Sequence, residues 1–228
     1  MDYSNCTGVK LMKPIAEKQG CSYVPFGQMK LIREVETKVK TTLGEGHKGV
    51  CYGLAVAWLE ALHNSSDSST FVKDVSDLEN SATFYRSYCA YRHQETYKSL
   101  NSGVLSGENY GAKDKFFGVG AIQQNGILKD TNKSKKFAAT SGGMDELAAW
   151  ICASLSKRYF MLHIKCHTMA AIGSKAGQCS FFDPNAGIIY SMNKSKIAKS
   201  MLSFFSSQQI QNEYRFQGSD WLTAIKFK

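Results

Sequence analysis

The hydrophobic period of this chain changes at Arg158, and no other feature restricts its fold as much. Upstream, apolar residues recur at helical spacing. Leu31, Val35 and Val39 do so in one segment, Leu54, Trp58, Leu59 and Leu62 in the run 51–62, and Leu147, Ile151 and Leu155 in 144–157. Downstream they alternate: in 158–173, Phe160, Leu162, Ile164 and Cys166 interleave with Met161, His163, Lys165 and His167, the pattern of one strand. A turn at 174–177, a strand at 178–182, a turn at 183–187 and a strand at 188–192 follow. An amphipathic helix over 194–209 and a last strand over 221–227 complete the reading. Helices first and hairpin-linked strands afterwards predict an α+β fold, with N-terminal helices packed on a C-terminal antiparallel β-sheet.

The intervening stretches carry weaker signals. Pro14, Gly20, Pro25 and Gly27 suggest that residues 1–40 are an irregular arm, and three glycines make 44–49 a loop. Residues 64–70 read as a polar linker, 75–100 as a helix, and 129–143 as a polar loop, while the glycine-rich 101–126 has no clear assignment. The expected division is an N-terminal arm and helix over 1–43 and the main domain over 44–228.

Composition narrows the class. With 228 residues, 43% of them hydrophobic, the chain can bury one sizeable core. Seven cysteines, odd in number and without a C-x-x-C pair, predict reduced thiols and a cytosolic place of action. No basic-then-apolar signal pattern opens the chain, and no apolar run approaches the roughly 20 residues that a bilayer requires. The net charge of +9 suits acidic partners or an anionic membrane surface. Nucleic acid is not expected as a partner: the densest basic cluster, Lys129, Lys133, Lys135 and Lys136, has no interleaved aromatics and fits a solvated loop.

Three residues stand out chemically. Cys51 lies where a glycine-rich loop becomes an apolar helix, and unpaired N–H groups there favour a thiolate. His167 falls late in the alternating segment, and Asp183 ends the next strand, within reach of that imidazole across the hairpin. Each alone is more often structural; together, in this order, they fit a nucleophile, a base and the group that orients the base. A zinc site drawn from His163, Cys166, His167 and Cys179 is the weaker reading, since His163 and His167 sit on separate pleats of one strand and Cys166 faces the other way. No metal or cofactor is expected. His63 complements a helix dipole, His93 is surface, Trp58 and Trp150 are core, and Trp221 packs in the core in preference to walling a cleft.

The segments Gly49-Val50-Cys51-Tyr52-Gly53-Leu54-Ala55, His167-Thr168-Met169-Ala170 and Phe181-Phe182-Asp183-Pro184-Asn185-Ala186-Gly187 resemble the YopT/AvrPphB family of bacterial effector cysteine proteases over about 44–227. The resemblance implies a papain-like fold and a secreted virulence effector that acts in the host cytosol. It also implies attack by Cys51, with His167 as base and then acid and Asp183 orienting it. Host targets in that family include small GTPases and protein kinases, and a monomer is expected. Where papain-like enzymes carry an oxyanion donor five or six residues before the cysteine, this chain has Glu45 and Gly46. His47 is the nearest alternative donor, and Asn185 a candidate to help orient the histidine. Two other functions stay open: deamidation or transglutamination by the same triad, and a host-protein binding module with a vestigial site.

Overall fold

The computed structural model describes residues 1–39, 51–64, 67–77, 130–164, 167–175, 177–216 and 220–227. Within them the order is α1 (Thr7–Gln19), β1 (Ser22–Val24), α2 (Gln28–Val39), α3 (Cys51–His63), α4 (Ser68–Ser76), β2 (Asp130–Ala138) and α5 (Ser141–Ile151). There follow β3 (Arg158–Ile164), β4 (His167–Gly173), β5 (Cys179–Asp183), β6 (Gly187–Ser191), α6 (Lys194–Phe205), α7 (Gln208–Tyr214) and β7 (Trp221–Phe227). The strands form one sheet in the order β1-β6-β5-β4-β3-β7-β2, with every pairing antiparallel. The α+β class expected from the change of period is the one found.

Two apolar layers sandwich the sheet. On one face α2, α3 and α4 pack on Tyr159, Met161, Ala170, Ile172 and Phe182. On the other, α5, α6 and α7 pack on Phe160, Leu162, Met169, Ala171 and Phe181. Strand alternation sends successive side chains to opposite layers, which is why both faces can be apolar. Helix α3 is buried nearly all round, from Tyr52 through Leu62, as a helix wedged between other elements must be. Phe182 meets it as the hub of an aromatic cluster, with ring centroids 5.3 Å from Trp58, 5.7 Å from Phe26 and 5.8 Å from Phe71.

Several expectations are corrected. The helix expected from Leu31, Val35 and Val39 is α2, but the residues before it hold a helix and a strand instead of an irregular arm. Helix α1 runs through Pro14, its buried face of Gly8, Val9, Met12 and Ala16 compensating for the missing N–H, and β1 extends the sheet beside β6. The polar linker is shorter than expected, because Asp67 caps α4 by accepting from Thr70 N at 2.8 Å. Most of the polar loop expected over 129–143 is strand β2, and α5 starts at Ser141. Lys133, Lys135 and Lys136 are exposed on an edge strand held by the β7 ladder and anchored by buried Phe137. Helix α5 stops at Ile151, leaving Leu155 77% exposed.

Most consequential, 158–173 is a hairpin rather than one strand. Ile164 pairs with His167 and His163 with Thr168. Directly paired residues share a face, so His163 and His167 lie on opposite faces of the sheet. The helix expected at 194–209 ends at Phe205, a second helix, α7, runs on from Gln208 to Tyr214 where none was expected, and Trp221 is 58% exposed instead of packed in the core. The loop 44–49, most of the helix expected at 75–100, the stretch 101–126, and Glu45, His47, His93 and Cys166 lie outside the described residues.

Candidate active site

Cys51 is the first residue of α3 and keeps part of its surface open. Strand β4 begins at His167 and β5 ends at Asp183. The register pairs Ala170 with Phe182. Continued by one step, it sets Asp183 opposite Met169, with His167 two residues along on the same face. That diagonal relation lets a carboxylate reach an imidazole. His167 Nε2 lies 3.1 Å from Asp183 Oδ1, with both side chains buried.

The electrostatics follow from these placements. Burial alone would lower the His167 pKa, but the charge and hydrogen bond of Asp183, joined by those of Cys51, push it up to about 10. Burial likewise raises the Cys51 thiol. The hydrogen bond and charge of His167, with backbone N–H groups of Thr168 and Tyr52, outweigh that and bring it below the ordinary thiol value. A thiolate facing an imidazolium is the state this favours.

The carboxylate has further partners. Asn185 N donates to Asp183 Oδ1 at 2.8 Å, an Asx-type turn closed by the residue's own segment. Tyr214 Oη lies 3.0 Å from each oxygen of Asp183, and its ring stacks on His167 with centroids 4.2 Å apart and planes inclined by 24°. The Asn185 side chain does not reach His167. Its Nδ2 donates to Tyr214 Oη at 3.2 Å and to Glu213 Oε1 at 3.3 Å, and its Oδ1 accepts from Gln28 Nε2 at 2.5 Å.

The N-terminal segment clasps this turn. Gln28 N donates to Pro184 O at 2.7 Å, and Tyr23 Oη to Ala186 O at 2.7 Å. A Cβ on Gly8 would stand 2.4 Å from Asn185 O, so only glycine lets α1 come this close. A cavity of about 620 Å³ opens beside Gln28, Asn185 and Glu213, lined also by Cys6, Lys30 and Arg33; it adjoins the aspartate's turn without including Cys51 or His167.

The structure thus brings Cys51, His167 and Asp183 together and sets Asn185 behind the aspartate. Gln28, Glu213 and Tyr214 were not legible as site residues. Tyr214 closes a helix that the sequence reading left unassigned, and nothing in its local pattern announces a polar role. His163 stays apart from the chemistry: its Nδ1 lies 3.1 Å from Thr168 Oγ1, its ring stacks on Tyr52, and burial and the His167 charge lower its pKa to about 3. Among the described residues, no group of three or more His, Cys, Asp or Glu side chains could hold a metal ion.

No curated protein matches the chain. Among solved structures, the Pseudomonas avirulence protein AvrPphB is similar, with a TM-score of 0.55, 17% identity, and coverage of 80% of this chain and 93% of that one. PatoxP, a cysteine protease-like domain of the Photorhabdus asymbiotica toxin PaTox, matches with a TM-score of 0.51 and 16% identity, over 96% of this chain and 57% of the other. At such identities the likeness is one of fold, and the fold is the papain-like one of bacterial effector cysteine proteases. The family model of the Yersinia/Haemophilus virulence surface antigens, peptidase C58, matches residues 16–222, and the chain belongs to that YopT-type family.

Proposed function

We propose that the protein is an effector cysteine endopeptidase that cleaves a host-cell protein, with Cys51 as nucleophile, His167 as base and then acid, and Asp183 orienting the histidine. One observation carries this reading. His167 Nε2 is held by Asp183 at 3.1 Å, which leaves Nδ1 for the hydrogen bond with the Cys51 thiol. A positioned base beside a thiol of lowered pKa, itself oriented by a buried carboxylate, is the arrangement that acyl transfer requires.

The Cys51 thiolate attacks the scissile carbonyl carbon, and the carbonyl π electrons move onto oxygen. Collapse breaks the C–N bond while His167 passes its proton to the leaving amine. His167 then takes a proton from water, which attacks the thioester, releases the acid and restores the thiolate. The first turn of α3 supplies backbone N–H groups without intrahelical acceptors for the oxyanion. Membership in a family of virulence antigens supports delivery into a host cell, and thiols left free at Cys6, Cys21, Cys51, Cys152 and Cys179 support action in a reducing cytosol.

Site-resolved iodoacetamide labelling from about pH 5 to about pH 8 tests the site. Rapid labelling of Cys51 at the acidic end, lost in His167→Ala, is expected; labelling only as an ordinary thiol would reject the reading. A host protein cleaved by the wild type and spared by Cys51→Ala establishes the peptidase. An intact protein heavier by about one dalton identifies deamidation by the shared acyl chemistry instead.

A further inference from the structure

We infer that Tyr214 is a positioning residue for the catalytic pair, its ring holding and stabilising the His167 imidazolium while its hydroxyl fixes the Asp183 carboxylate. The inference rests on the triad reading above and adds a fourth member to it. Tyr214 is 2% exposed and ends α7, where Ile210 is also buried, and its ring meets Phe204 edge-on at 6.3 Å. The aromatic ring is therefore fixed before any substrate arrives. It lies almost parallel to the imidazole, with centroids 4.2 Å apart. A π face so close to a cation in a site closed to water stabilises the charged form over the neutral one.

The hydroxyl does separate work. Among the described residues it alone bonds Asp183 Oδ2, at 3.0 Å, and it shares Oδ1 at 3.0 Å with His167 Nε2 and Asn185 N. A carboxylate held at both oxygens cannot rotate away from the imidazole. Asn185 Nδ2 donates to the same phenol, so the phenolic proton is directed at the carboxylate. The hydroxyl is also held in its neutral form, because burial and the Asp183 charge raise its pKa well above the ordinary value.

Among the described residues, titratable groups face His167 from three elements. Cys51 approaches from α3, Asp183 from β5, and Glu213 with Tyr214 from α7, while His163 on β3 lies on the opposite face of the sheet and feels the His167 charge. Of these, only Tyr214 touches both the imidazole ring and the carboxylate.

The test uses the full chain as wild type, Tyr214→Phe and Tyr214→Leu. Cys51 alkylation by iodoacetamide is followed against pH, and isotope-labelled histidine reports by NMR both the titration of His167 and hydrogen exchange at its Nε2–H. Tyr214→Leu removes the π face and should lower the pH at which His167 loses its proton by about one unit. Tyr214→Phe keeps the ring and should leave that titration within about 0.3 unit, while releasing the carboxylate and speeding Nε2–H exchange about tenfold or more. A purely structural tyrosine would lower the melting temperature in both variants and change neither readout. An unmoved titration in a folded Leu variant, or unchanged exchange in the Phe variant, overturns the inference. Should the Leu variant not fold, exchange in the Phe variant decides alone. An ordinary thiol profile in wild-type Cys51 would refute the triad reading, and the exchange comparison would still judge the hold of Tyr214 on Asp183.

Discussion

Asp183 Oδ1 and His167 Nε2 stand 3.1 Å apart in a setting from which solvent is excluded. At that distance, in low dielectric, the carboxylate is the main reason the imidazole keeps its proton. Asp183→Asn keeps the shape and removes the charge. An opposite charge at such range shifts a pKa by about 1–3 units, so the pH at which His167 loses its proton, followed by NMR, should move down from about 10 by about 1–3 units. An unchanged titration would mean that the aspartate is structural.

His163 predicts a stability loss in acid. Its folded pKa, about 3, lies below the ordinary imidazole value of 6.5, so between those values the unfolded chain takes a proton that the folded one refuses. Its contribution is complete above pH 6.5 and is lost as pH falls towards about 3. In urea melts, the drop in stability from about pH 7 to about pH 4.5 should be about 2 kcal/mol smaller in His163→Asn than in wild type. Parallel behaviour of the two proteins would refute this.

Gly8→Ala probes the contact between α1 and the aspartate's turn. The added carbon would sit 2.4 Å from a backbone oxygen, which cannot swing aside as a side chain does. A cost of about 1–3 kcal/mol is expected, together with slower labelling of Cys51 as the turn is displaced. Gly142→Ala is the control, since nothing lies within 4 Å of its added carbon. Equal effects at the two glycines would count against a specific clasp.

Phe182→Ala should be the costlier core truncation. Its ring touches Phe26, Trp58 and Phe71, joining β5, the N-terminal segment, α3 and α4. Such a cavity costs about 3–5 kcal/mol, measurable as a lower denaturant midpoint. A loss below about 1 kcal/mol would mean that the cluster collapses around the gap.

Legibility in the sequence followed the physics of each element. Helix α3 and strand β7 could be read because their burial patterns are complete within a few residues. The β5–β6 hairpin could be read because a Pro-Asn-Ala-Gly turn separates its strands. The β3–β4 hairpin could not: alternation runs on from Ile164 to His167 across only two intervening residues, with no glycine or proline to mark the reversal. Strand β2 was hidden because an edge strand presents polar side chains and owes its place to the β7 ladder. The candidate triad was legible as residue types at suggestive spacings. Tyr214 was not, since its value lies in what a tertiary contact sets beside it, and no period reports that.

The bond between Gln28 and Asn185 spans 157 positions along the chain. Closing so long a loop is entropically only modestly harder than closing a short one, yet it cannot happen until both ends exist. During synthesis, Asn185 emerges long after Gln28, and the turn that holds Asp183 has no brace until it does. A nascent chain therefore carries Cys51 well before it carries a finished relay, and reactivity arrives late, as a product of near-complete folding. For the peptidase proposed above, that delay is itself a safeguard.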